Sequence, residues 1–154
     1  MRSCYMDKLS GGCLCGNIRY KILKESLSAY TCICGFCQKD TGTAYRSALA
    51  ILNESVELSG KALRVYTYKS LEHGRELYKN FCPDCGTTIS LKTERFPERQ
   101  VIMIGTLDDP SKVALNTHMF VEEAFDWVEF PKEHIAYARH RINDDGTPAA
   151  PINL

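Results

Sequence analysis

Along most of the chain, apolar and polar residues either alternate or gather in short apolar runs. Neither pattern has the three-to-four spacing of an amphipathic helix. Asn17 to Ile22 (NIRYKI) alternates. Ser47 to Leu52 (SALAIL), Leu63 to Tyr68 (LRVYTY), Thr87 to Leu91 (TTISL) and Val101 to Leu107 (VIMIGTL) are runs bounded by turn residues, and each predicts a strand. His118 to Val121 and Ile135 to Ala138 predict weaker strands. Cys37 to Gly42 predicts one helical turn, and Glu122 to Val128 stays open between helix and loop. The pattern as a whole reads as mainly β, with curved antiparallel sheets, few short helices and several loops. Residues 1–142 show no repeat and no low-complexity segment, so a single domain is expected there. Asn143 to Leu154 (NDDGTPAAPINL) is rich in Pro, Gly and Asp, the composition of a loose C-terminal tail.

Length and charge narrow the function classes. A chain of 154 residues is long enough to bury one core. Nineteen basic residues balance nineteen acidic ones without a basic block, which argues against a nucleic-acid or anionic-membrane partner. The start, MRSCYMDKLSGG, lacks the apolar stretch of a signal peptide. No run approaches the roughly 18 apolar residues of a membrane span. A cytoplasmic (or nuclear) location is the expectation. In a reducing compartment, eight cysteines point to metal or thiol chemistry rather than disulfides.

Seven of those cysteines fall into three clusters. Cys82 and Cys85, in FCPDCG, have the spacing of a zinc knuckle at a hairpin tip, with Gly86 reversing the chain. One knuckle supplies two ligands. Cys13 and Cys15, in GGCLCG, can supply the other two, because positions i and i+2 of an extended strand face the same side. A closed site of these four would tie distant parts of the chain together and stabilise the fold. Cys32, Cys34 and Cys37, in TCICGFC, remain. Three protein ligands with a vacant fourth position is the usual layout of a catalytic zinc. Two zincs per chain are therefore expected, one structural and one catalytic. The competing readings are a triplet that is purely structural, disulfides, or buried small hydrophobes. Asp40, a distant His or Cys4 are weaker fourth ligands, and Cys4 reads as a free thiol.

GGCLCGNIRY, then CICGFC followed by Thr41-Gly42, then FCPDCGTTI, resemble the glutathione-dependent formaldehyde-activating enzyme family, which includes the CENP-V-type proteins. The resemblance implies an Mss4-like zinc-bound fold. It also implies a structural zinc on Cys13, Cys15, Cys82 and Cys85, and a catalytic one on Cys32, Cys34 and Cys37. The activity implied is that of a carbon–sulfur lyase or synthase, joining glutathione, or another small thiol, to an aldehyde or releasing it. His118 becomes the candidate proton carrier, since family members often have a His near this place. Ile33 and Gln38 stand where the family often has His and Arg. Neither change removes a zinc ligand, but both bear on which thiol or carbonyl compound binds. The alternative is a non-enzymatic zinc module that binds a protein, as the Mss4-like fold does elsewhere. Chromatin association is suggested only by the CENP-V branch. Arg75 and Lys79 are candidates for glutathione carboxylates, and Tyr45, Phe125 and Trp127 for packing or a pocket wall.

Overall fold

The alternation in NIRYKI becomes strand β2 (Ile18–Ile22), with Ile18, Tyr20 and Ile22 buried and Arg19 and Lys21 exposed. A half-buried antiparallel strand buries every second side chain in this way. In a computed structural model that describes residues 9–154, β2 lies between β1 (Ser10–Gly12) and β5 (Val56–Gly60) in a three-stranded antiparallel sheet. Gly60 closes that sheet. Its φ is +91°, and a Cβ there would stand 2.1 Å from the Asn17 carbonyl oxygen, so only glycine fits.

The described residues divide into two compact units, residues 9–28 with Leu49–Val113, and Ala29–Ala48 with Ala114–Leu154. Besides the small sheet, the first unit contains an antiparallel run of β6 (Arg64–Lys69), β7 (Glu76–Phe81), β8 (Thr88–Thr93) and β9 (Arg99–Met103). Its core includes Ile18, Tyr20, Ile51, Ile89 and Ile102, all essentially inaccessible. The buried Ser90 is satisfied by Asn80, whose Nδ2 donates to Ser90 Oγ at 3.1 Å.

The second unit contains β3 (Ser28–Cys32), the helix α1 (Gly35–Thr41), β10 (Thr117–Met119) and β11 (Ile135–Tyr137). Strand β4 (Arg46–Leu52) begins in this unit. Here β10 pairs in parallel with both β3 and β11. The expected sheets were antiparallel, so this is a correction. Long connections separate these strands in sequence, and parallel pairing requires such crossovers. The segment expected as a loose tail carries hydrogen bonds: Ile152 N donates to Ala136 O at 2.8 Å, and Ala149 N to Arg141 O at 2.9 Å.

The described residues are mainly β with one α-helix, consistent with an Mss4-like fold. The apolar run Val101 to Leu107 is strand only to Met103, because Ile104–Thr106 turn into a 3₁₀ helix. The run expected from His118 to Val121 ends at Met119, because Phe120 adopts a left-handed backbone with φ 61°.

Candidate metal centres

Cys13 and Cys15 sit in the turn between β1 and β2, where Gly16 N bonds back to Cys13 O at 3.1 Å. Cys82 and Cys85 sit in the turn between β7 and β8. That turn is closed by Gly86 N to Cys82 O and Cys82 N to Thr87 O, both 2.9 Å, with Gly86 at φ +75°. The four sulfurs all lie within 4.8 Å of one another. Cys13 to Cys15 is 3.5 Å and Cys15 to Cys82 is 3.7 Å. A disulfide needs about 2.05 Å. Four sulfurs on a tetrahedral zinc with bonds of about 2.3 Å are about 3.8 Å apart. The spacing fits the metal and not the disulfide.

The surroundings suit thiolates. Ile18 N donates to Cys13 Sγ at 3.2 Å, and Thr87 Oγ1 lies 3.2 Å from Cys85 Sγ. The hydroxyl and amide of Thr87 bring the Cys85 thiol down to about 5. Asp84, in the same turn, accepts from Asn17 Nδ2 at 2.6 Å and Lys61 Nζ at 2.9 Å, which ties the two turns together.

The second cluster belongs to the other unit. Cys32 ends β3, Cys34 is the N-cap of α1, and Cys37 is buried in its first turn. Their sulfurs also lie within 4.8 Å of one another, with Cys32 to Cys34 at 3.5 Å. Among the described residues no His, Asp or Glu joins them. Cys4 lies outside the described residues. Left to themselves, three sulfurs so close cannot all ionise. The thiols of Cys32 and Cys37 bring Cys34 down to about 3, while its thiolate pushes Cys32 up to about 12, and Cys32, then Cys34, push Cys37 up. A bound cation would let all three ionise. The donor set, three soft sulfurs without a fourth protein ligand, fits a zinc with one open position.

The chain holds α1 in place by contacts that sequence reasoning missed. Cys34 makes no side-chain cap. Instead Glu123 Oε2 accepts from Gly35 N at 2.7 Å, and Gln38 Nε2 donates to Ile33 O and Glu123 O, both at 2.9 Å. Phe120 supplies the sharp turn between β10 and the short 3₁₀ segment that ends at Glu123. Ile33, where the family often has His, is fully buried. Asp40 does not join the sulfurs; it pairs with the buried Arg46.

An open cleft of about 420 Å³ adjoins α1. Gly35 and Gln38, each one residue from a triplet cysteine, line it together with Lys39 and Thr43. Phe125 and Trp127 form its rim, their ring centroids 5.5 Å apart and Trp127 72% exposed. Tyr45 is part-exposed and does not line the cleft.

His118 lies on β10 beside Thr31, the residue before Cys32. Its Nδ1 is 2.7 Å from Thr31 Oγ1 and its Nε2 is 2.9 Å from His134 Nδ1. Burial and the neighbouring His134 lower its pKa. His134 is thus part of a hydrogen-bonded chain. Arg75 and Lys79 belong to the first unit, on the β6–β7 hairpin. His73 lies near Glu72 on the same hairpin, and His140 Nδ1 engages the backbone of Ile142.

Comparison with known proteins bears on the family and the fold. No curated protein matches the chain. Among solved structures, a protein from Rhodobacter sphaeroides, determined as a structural-genomics target, is similar at 20% identity and a TM-score of 0.52. The match covers 69% of this chain and 98% of that one, and at such identity it bears on the fold alone. Residues 8–123, with all seven clustered cysteines, match the sequence profile of the glutathione-dependent formaldehyde-activating enzymes, and the chain belongs to that family.

Proposed function

We propose that the protein is a zinc-dependent carbon–sulfur lyase or synthase. Its substrate is a glutathione or other thiol adduct of an aldehyde or a related electrophile. The observation that carries this reading is the incomplete sulfur triplet of Cys32, Cys34 and Cys37 beside an open cleft. A protein-binding scaffold gains nothing from an unfinished metal site, whereas catalysis needs one.

Zinc at the triplet would hold an incoming thiol as its thiolate near neutral pH. The residues do the rest. Cys32, Cys34 and Cys37 fix the point of attachment. Gln38 and Glu123 hold α1, and with it the position of Cys37. The cleft takes the remainder of the adduct, where Lys39 offers a cation for a carboxylate and Phe125 and Trp127 an apolar rim. In synthesis the thiol sulfur bonds to the carbonyl carbon, and the carbonyl oxygen takes up the thiol's proton. In the reverse direction the carbon–sulfur bond breaks and aldehyde and thiol are released. Both ring nitrogens of His118 are already engaged, so its role is to brace β10 against β3 rather than to carry this proton. Cys13, Cys15, Cys82 and Cys85 would hold a structural zinc.

The test pairs metal content with exchange kinetics. Wild type should hold two zincs per chain and speed the exchange between free and glutathione-bound formaldehyde, followed by magnetization-transfer NMR. Cys34→Ser should hold about one zinc and lose the acceleration. One zinc in both proteins, with no acceleration in either, would leave the structural module as the answer.

A further inference from the structure

The cleft beside α1 has a lining more particular than a formaldehyde adduct needs. Its lining residues all belong to the second unit. Gly35 follows Cys34 and Gln38 follows Cys37, so each of these cysteines has its Cα about 3.8 Å from that of a lining residue. A volume of about 420 Å³ is that of a small-molecule site. At the rim Trp127 is 72% exposed and Phe125 42%, with ring planes 33° apart. Two large apolar rings side by side in water, at the mouth of a cavity, mark a surface that a ligand covers. Gly35 adds room. A Cβ there would meet only Glu123 Oε2, at an ordinary 3.5 Å, so packing does not demand a glycine.

The polar groups of the lining are mostly spent. Gln38 Nε2 donates to Ile33 O and Glu123 O, and Thr43 Oγ1 donates to Tyr45 O at 2.7 Å. Lys39 is the charged residue of the lining, and among the described residues no hydrogen bond or ion pair engages it. Neither nearby acid lines the cleft: Glu123 accepts from Gly35 N, and Asp126 lies between the two rings in sequence. The cleft therefore offers one cation, two ring faces and no acid. Glutathione carries an ammonium as well as two carboxylates, and that ammonium would meet no acid here. The single carbon of formaldehyde offers the rings nothing to stack on. A flat aromatic group with one carboxylate matches both the rings and the cation.

We propose that the cleft binds an aromatic carboxylate, and that the preferred electrophile is an aryl aldehyde bearing that carboxylate rather than formaldehyde. Phe125 and Trp127 stack on the aryl ring, and Lys39 pairs with the carboxylate. The binding site stands on the cleft alone, whereas the choice of aldehyde rests on the thiol-adduct reading above. The thiol sulfur bonds to the aldehyde carbon, the carbonyl double bond becomes single, and its oxygen takes the thiol's proton. Nothing is oxidised or reduced.

The test uses the full, zinc-loaded chain. Trp127 is its one tryptophan, so its fluorescence reports on the cleft directly. The binding probes are benzoate, cyclohexanecarboxylate, which is anionic but not flat, and benzyl alcohol, which is flat but neutral. Saturation-transfer NMR of the same probes extends the measurement to Trp127→Ala, Phe125→Ala and Lys39→Met. All three positions are exposed, so the variants keep the fold. Exchange NMR then compares 4-formylbenzoate with formaldehyde, each against glutathione.

Benzoate should shift Trp127 emission and bind more tightly than either other probe. Trp127→Ala should weaken it about tenfold, as the loss of one stacked ring would. Lys39→Met should weaken it about threefold, the size of an exposed ion pair, and narrow its lead over benzyl alcohol. Exchange should be accelerated more for 4-formylbenzoate than for formaldehyde, and Trp127→Ala should cut that preference about tenfold. Equal binding of benzoate and cyclohexanecarboxylate, or benzoate binding unchanged in Trp127→Ala, would overturn the site. An equal loss for both aldehydes in Trp127→Ala would overturn the specificity. A dimer in sedimentation that Trp127→Ala dissolves would give the rings to a second copy of the chain and overturn it as well. Benzoate binding as expected, with neither aldehyde accelerated, would refute the thiol-adduct reading and leave the aryl-carboxylate site standing. Accelerated formaldehyde exchange without benzoate binding would do the reverse.

Discussion

Cys37 and Cys82 are both buried thiols, yet their loss should have different consequences. Cys82 shares a closed set whose other half lies 67 positions earlier in the chain. Metal binding at such a set is folding free energy, of the order of several kcal/mol or more. Cys82→Ser should lose one metal per chain and the cooperative thermal transition with it. Cys37 belongs to a set whose three members lie within six residues, on β3 and α1. Cys37→Ser should lose the other metal while far-UV circular dichroism and the transition survive with a shift of a few degrees, on the order of 1 kcal/mol. Elemental analysis beside melting curves checks both. The seven clustered cysteines were legible residue by residue, because cysteine spacing survives any fold. Arg46 and Glu123 were not. An arginine at the start of an apolar run and a glutamate 88 positions from its partner give no local signal, and only the folded chain brings them to α1.

Helix α1 has seven residues, too few to persist alone in water. It depends on the carboxylate of Glu123 at its first turn and on Gln38 at its side. Glu123→Ala should cost about 1–2 kcal/mol in chemical denaturation, the range of a lost cap, and should loosen metal at the triplet more than at the four-cysteine centre. Glu123→Gln, which keeps an acceptor oxygen, should cost less.

At the start of β1, Asp108 accepts from Ser10 at 2.6 Å and pairs with Arg19 on β2. Arg19, then Ser10, bring its carboxyl down to about 2. A carboxyl whose folded pKa is depressed stabilises fully above the unfolded value, near 3.9, and loses that stabilisation as pH falls toward the folded one. Both partners are nearly half exposed, so the pair is worth about 1 kcal/mol or less. Asp108→Asn should therefore lower stability slightly at pH 6, and the deficit should shrink between about pH 4 and pH 2. Elements with clear alternation, such as β2, were legible beforehand. Strands β3 (SAYTC) and β7 (ELYKNF) were not, because most of their residues sit at intermediate exposure and their patterns lack contrast. The parallel pairing of β10 was also hidden, since register between distant short strands is set by tertiary contacts and not by local pattern.

At the scale of the molecule, the two centres should part company under chelation. An open, three-ligand site exchanges metal more readily than a closed one, so a strong chelator should remove one metal per chain first, with little change in secondary structure. Removal of the second should coincide with unfolding, followed by circular dichroism against released zinc measured with a colorimetric indicator. The first unit is also discontinuous, its two segments separated by the stretch that bears the triplet. On the ribosome this imposes a wait. Cys15 is made 67 residues before Cys82. At synthesis rates of roughly 5–20 residues per second, that interval is about 3–13 s. For those seconds Cys13 and Cys15 are an exposed dithiol without its counterpart, while Cys32, Cys34 and Cys37 are completed within moments of one another. The nascent chain thus presents its triplet to the cell's metal supply before its structural centre can exist, and a shortage of zinc or a burst of oxidant would strike hardest in that interval.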